Sequence, residues 1–203
     1  MTLALRATQD SSRASTALPL LAADLIPALS PRPTSSRPRL SDDGYFDSVA
    51  SLGLCRGLDM ILVRRNGQLI SYRALAAADI QTHEAWALAA HNVMEAALTH
   101  RGYHFRTKSA LGGVRVRTKG SPATSWLAHP APFSVLHHHL VEVLRTPTVA
   151  YLAPAHDHLY AIPLRKNTDA RRAFQAARAD AGVHIPRTAV EPLLWSDGFP
   201  RPL

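Results

Sequence analysis

The chain carries one cysteine, Cys55, among 203 residues. A lone thiol closes no internal disulfide and builds no cysteine-based zinc ribbon or finger. No apolar run approaches the roughly 18 residues that a membrane-spanning helix needs, so no transmembrane segment and no membrane partner are read. The signatures of nucleophilic, zinc-hydrolytic and nucleotide chemistry are missing too: there is no GxSxG, HExxH, GxxxxGK[ST] or GxGxxG. No catalytic residue and no cofactor are therefore assigned, and the reading leans away from an enzyme. One further absence is local. Residues 100–141 hold six Arg or Lys and not one Asp or Glu.

What is present is ordinary globular material, with 46% hydrophobic, 19% charged and 6% aromatic residues, which excludes wholesale disorder and fits one domain with appendages. The formal net charge of +8 is unevenly spread. Residues 1–40 carry five Arg and two Asp, residues 41–99 four basic and seven acidic groups, and residues 142–203 eight basic and six acidic groups. An acidic partner would be drawn to the 100–141 block.

The division expected is a disordered Pro/Ser-rich arm over 1–40, an α+β domain over 41–182 and an extended tail over 183–203. The arm holds ten Ser or Thr, five Pro and no Gly, and residues 30–38 can propagate neither a helix nor an interior strand. The apolar stretch 18–26 is broken by Pro19 and Asp24 and has no clean cleavage pattern after it, so it reads as part of the arm and not as a signal peptide. The expected location is the cytoplasm.

Within the domain, Asp42, Asp43 and Asp47 look like the acidic start of a helix carrying Phe46, Val49 and Leu52. Residues 58–65 and 68–72 flank Asn66-Gly67, which predicts a hairpin with a two-residue type I′ turn. Residues 79–101 read as the longest helix, with Trp86, Ala90, Val93 and Ala97 on its buried stripe. A second hairpin is expected over 103–109 and 113–119, and Ser125–Ala128 reads as an added short strand. A helix follows over 133–144, then two strands over 148–152 and 159–164, and a last helix over 169–181 closed by Gly182. In the tail, Leu193-Leu194-Trp195 is the piece expected to dock. Hairpins alternating with helices predict an α+β fold: an antiparallel sheet of successive hairpins with helices packed on one face.

Four groups of residues invite chemistry. His137-His138-His139 project about 100° apart on a helix, so they do not jointly hold one ion. His156-Asp157-His158 places two imidazoles on one face of an extended chain, with His129 the nearest third ligand, and reads either as a polar site or as a polar turn between strands. Neither set shows three ligands at readable spacing, so no metal is expected; a metal-dependent hydrolase using His156 and His158 stays as the third functional reading. Cys55 beside Arg56 is either a thiol of lowered pKa or a buried structural one. The fourth group is the basic hairpin. Period-two alternation puts His104, Arg106 and Lys108 on one face of the first strand, and Arg115, Arg117 and Lys119 on one face of the second. Side by side these cations repel, a cost that solvent screening or an anionic partner offsets. Tyr103 and Phe105 fall on the opposite face, so base stacking is not expected and any binding is to the phosphate backbone.

Residues 58–164 resemble the YtpQ-like family of uncharacterised bacterial proteins in three places: the LDMILVRR strand, the helix 82–93 with Ala89, Asn92 and Val93, and the block 148–162 with Pro154 and Asp157. The resemblance implies a helix followed by a strand, a proline-containing turn and another strand, and brings no activity with it. Asn92 has two readings, a hydrogen bond across to the turn 154–158 or a place in a site with His91 and His156. The function expected from the sequence is a non-enzymatic binding or interaction module with an unknown protein or polyanion partner; the alternative is nucleic-acid binding through residues 101–119.

Overall fold

The computed structural model describes residues 22–31, 47–182 and 188–203. The chain is α+β. Three strands, β1 (Leu25–Pro31), β2 (Ser51–Cys55) and β3 (Leu58–Arg64), form one antiparallel sheet in the order β1-β3-β2. Two helices follow, the short α1 (Tyr72–Ala77) and the long α2 (Thr82–Ala97), the second leading into a minimal hairpin, β4 (Leu98–Thr99) and β5 (Gly102–Tyr103). Then come β6 (Phe105–Ala110), β7 (Gly113–Thr118), a 3₁₀ segment over Ala123–Ala128, α3 (Pro130–Leu144), β8 (Val149–Ala155), β9 (His158–Pro163), α4 (Asn167–Ala181), β10 (Leu193–Ser196) and β11 (Phe199–Pro202). The last six strands make an antiparallel sheet ordered β11-β10-β8-β9-β7-β6.

The main core lies between the two sheets and the helices α2 and α3. Trp126, Leu127, Phe133, Leu136 and Leu140 meet Tyr151, Ala153, Leu159, Ala161 and Val116 from one face of the large sheet. Strand alternation sends Ala150, Leu152, Tyr160 and Ile162 to the other face, where they bury against Ala170, Phe174 and Ala177 of α4. Helices thus cover both faces of the large sheet, not one as the hairpin cadence implied. A strand such as β8, buried over all seven of its residues, has apolar side chains to cover on each side.

Several local expectations are corrected. The segment read as an unstructured arm contains β1, in which Leu25, Ile26, Pro27, Ala28 and Leu29 are all buried; the rest of that segment, 1–21 and 32–40, lies outside the described residues. Of the helix expected after Asp42, residues 42–46 lie outside the described residues, and its remainder runs into β2, because β3 offers it a free edge to pair with. The Asn66-Gly67 turn closes, with the Gly67 N–H donating to the Arg64 carbonyl and the Arg64 N–H to the Gln68 carbonyl. Only Gly67 has positive φ there, at 87°, so it is a type I turn with a glycine bulge and not type I′. The return strand shrinks to single bridges, Val63 to Leu69 and Val49 to Ser71, since β2 takes that edge of β3 from Ile61 to Leu58. The short strand expected over Ser125–Ala128 is the 3₁₀ segment. In the tail, β10 and β11 extend the large sheet where a loop was expected.

The long helix is shorter than expected but keeps its phase. Its first turn is held by the Glu84 carboxylate, which accepts from the Gln81 N–H at 3.1 Å. Ala90, Val93 and Ala97 are buried, and Trp86 is half-buried with its indole N–H donating to the Ala128 carbonyl at 2.7 Å.

Candidate polyanion-binding face

The hairpin β6–β7 turns through Leu111 (φ 55°) and Gly112 (φ 75°). Two successive residues of positive φ make a type I′ turn, whose twist suits the two strands and leaves no freedom of register. Arg106 consequently stands opposite Arg117, and Lys108 opposite Arg115. The other face of the hairpin is apolar: Val116 is buried, and the Phe105 ring meets Trp126 edge-on at 4.8 Å, with Tyr103 doing the same at 5.9 Å. The aromatic rings of this region are thus spent on the core.

On the cationic side α4 covers β8 and β9 and leaves β6 and β7 open. Arg106, Lys108, Arg117 and Lys119 are exposed. Arg115 is different. Its side chain is 25% exposed, its Nη1 lies 4.0 Å from Asp180 Oδ2, and its guanidinium sits 5.8 Å from the centre of the Tyr160 ring. Of the two arginines of β7, Arg117 alone is exposed. The carboxylate beside Arg115 comes from α4. Asp180 occupies the last turn of α4, the end at which the helix dipole disfavours an acid; there it accepts a hydrogen bond from the Tyr160 hydroxyl. Burial first, and then that bond, push the Tyr160 phenol up to about 12. His158, on the same side of β9, is held below the ordinary histidine range by burial first and by Arg115 next.

Two hollows open along this face. One, of ≈280 Å³, is lined by His104, Arg106, Thr118 and Lys119. The other, of ≈320 Å³, lies where β7 runs out, among Arg115, Arg117, Thr118, Ser121 and Asp157. Arg115 Nε, Ser121 Oγ and His158 Nδ1 are buried without a hydrogen-bond partner.

The polar group Asn92, His156, Asp157 and His158 is not brought together. Asn92 lies in α2 and donates its amide to the carbonyls of Ala22, at 2.7 Å, and Leu25, at 2.9 Å. It binds β1, and neither the turn 154–158 nor a site with His91 and His156 involves it. His156 accepts at its backbone carbonyl from the Thr124 hydroxyl, while Asp157 lines the larger hollow and His158 is its chain neighbour. His129 caps α3, its Nδ1 accepting from the Ala131 N–H at 3.1 Å. In the triple-histidine run, His137 is buried with its Nδ1 2.8 Å from the Tyr151 hydroxyl and its ring stacked on Trp195 at 4.5 Å; His138 is exposed, and His139 lies 4.9 Å from Phe105. Among the described residues no three of His, Cys, Asp and Glu stand close enough together to hold a metal ion. Cys55 is half-buried on β2.

Sequence reasoning missed Asp180, Tyr160 and Ser121. The legible signal for Asp180 was its position, an acid one residue from the end of a helix. Tyr160 follows His158 by two, which puts both on one face of β9. Comparison of the chain with protein-family models, curated proteins and solved structures gives no match. Among the described residues no helix is long and apolar enough to cross a membrane.

Proposed function

We propose that the chain is a non-enzymatic binding module whose working surface is the open cationic face of β6–β7, and that this face takes the phosphate backbone of a nucleic acid. One observation carries the reading: like charges are held directly opposite one another, Arg106 to Arg117 and Lys108 to Arg115. Among the described residues Arg106, Lys108, Arg117 and Lys119 have no carboxylate partner. Opposed like charges destabilise a strand pair, and a row of phosphates relieves that repulsion. Among the described residues no exposed Phe, Tyr or Trp ring accompanies the cations, so binding is to the backbone and carries no sequence preference.

The test is fluorescence anisotropy with duplex DNA from about 50 to 200 mM salt. Each phosphate contact contributes about −0.9 to the slope of log affinity against log salt, so three to five contacts give roughly −3 to −4.5. Arg106→Ala with Arg117→Ala should flatten the slope by about two contacts' worth. A slope identical in the wild type and the double variant would remove nucleic acid from this surface.

A further inference from the structure

The ladder between β7 and β9 runs from Val114 opposite Ala161 to Val116 opposite Leu159 and goes no further. Beyond it the two strands part, and the ≈320 Å³ hollow opens between the end of β7, the loop after it and the β8–β9 turn. Arg115, Arg117 and Ser121 line it, and His158 is adjacent to the lining residue Asp157. Of the buried atoms without a hydrogen-bond partner among the described residues, three belong to this corner: Arg115 Nε, Ser121 Oγ and His158 Nδ1. They come from a strand, a loop and a second strand. Buried polar atoms left unbonded are a standing cost in a fold, and a ligand that bonds them removes it.

We infer that this corner is a seat for a phosphomonoester group. Its donors are the two guanidiniums of β7 and a hydroxyl of the loop after it, with the imidazole of β9 beside them. Guanidinium forks suit phosphate oxygens, and three directions of approach suit the three free oxygens of a monoester better than the two of a diester. The Tyr160 ring and Asp180 stand beside the Arg115 guanidinium, at 5.8 Å and 4.0 Å, and restrict its freedom before any ligand arrives. Asp157 is the one acid in the lining and is exposed; Lys108 and Lys119 on the open face offset it and Asp180. The volume is at the small end of ligand sites, enough for a phosphate and the sugar that bears it. The inference rests on the reading of β6–β7 as a polyanion surface: the seated group is then the terminal phosphate of a strand whose backbone continues over the hairpin cations.

The experiment uses the full chain and three probes: inorganic phosphate, a 5′-phosphorylated oligonucleotide and its 5′-hydroxyl twin. The side-chain Nε–H resonance of Arg115 should shift saturably with inorganic phosphate and stay still with chloride at equal ionic strength. The phosphorylated oligonucleotide should bind about tenfold more tightly than its twin, the worth of one lost charge-assisted hydrogen bond or more. Ser121→Ala should erase that difference while leaving the 5′-hydroxyl affinity unchanged; if it does not fold by circular dichroism, His158→Ala, at the half-buried start of β9, takes its place. A still Arg115 resonance together with equal affinities for the two oligonucleotides overturns the seat, and a steep salt slope would then leave the surface reading standing. Saturable phosphate binding with no oligonucleotide binding keeps the seat, assigns it to a small phosphorylated metabolite and removes the surface reading.

Discussion

Strands β1 and β6 each lie at the outside of a sheet and pair along their length with one neighbour, β3 and β7 respectively. An open strand edge is a template for unwanted pairing, and burial, proline and charge are among the ways to block it. β1 uses the first two. Five successive residues, Leu25 to Leu29, are buried against the core. The Arg65 N–H donates to the Asp24 carbonyl, which makes Ile26, Ala28 and Ser30 the positions that exchange hydrogen bonds with β3 and leaves Pro27 and Pro31 on the alternate ones, where no N–H is needed. Asn92 then closes the outer side by bonding the Leu25 carbonyl. β6 uses charge. Arg106, Thr107, Lys108 and Ser109 are exposed in succession, and its outer edge carries no proline. A buried edge contributes stability and nothing else. An edge guarded by charge keeps a surface free for a partner, at some expense in strand pairing.

The contrast breaks most easily at Leu25, which is fully buried. Leu25→Ala should lower stability by about 2–5 kcal/mol, the lost transfer energy plus the cavity left behind. In urea unfolding the midpoint should fall with the slope unchanged. An unchanged midpoint would mean that β1 is not part of the cooperative unit, and the arm expected from composition would be restored in full.

Asn92→Ala is the next largest. It leaves the carbonyls of Ala22 and Leu25 without their donor inside the fold, a cost of about 1–3 kcal/mol. Asn92→Asp should do no better than Ala, because a carboxylate offers those carbonyls no donor. Full stability in Asn92→Asp, read from the same urea midpoint, would show that the amide does not hold β1.

The same two edges show what the sequence made legible. The cationic row was readable because strand alternation is strictly period two, and the I′ turn at Leu111-Gly112 preserves it across the hairpin. Residues of β1 were not readable as strand, since Pro27 and Pro31 argue against an interior strand and only the pairing geometry shows that both fall on the free side. The tail misled in the same way. Asp197 and Gly198 both have positive φ and form the I′ turn that Asn66-Gly67 does not; Pro200 and Pro202, at alternate positions of the outermost strand, hid it. Asn-Gly and Asp-Gly carry one local preference, and the neighbours available to each strand decide which turn type results. The seat around Arg115 was half legible. Its cations alternate visibly, whereas Asp180 and Tyr160 enter through the packing of α4 on β9, which no local pattern encodes.

The smallest effect is the most telling about β6, because its sign is opposite to the other two. Arg106 and Arg117 are directly opposed and exposed. Opposed like charges on paired strands cost about 0.2–1 kcal/mol, so Arg106→Ala with Arg117→Ala should raise stability by an amount in that range at low salt. Arg115 is left in place because its contact with Asp180 and Tyr160 is structural. Salt separates this from a propensity effect: within a few ångströms of solvent the repulsion is screened as ionic strength rises, so the advantage of the double variant should shrink at about 1 M sodium chloride, where an intrinsic strand preference would persist. Urea midpoints of both proteins at low and high salt give the four numbers needed. A double variant less stable than wild type at low salt would mean that the two arginines are held by partners and not opposed in solvent, and the open cationic face would lose its physical basis.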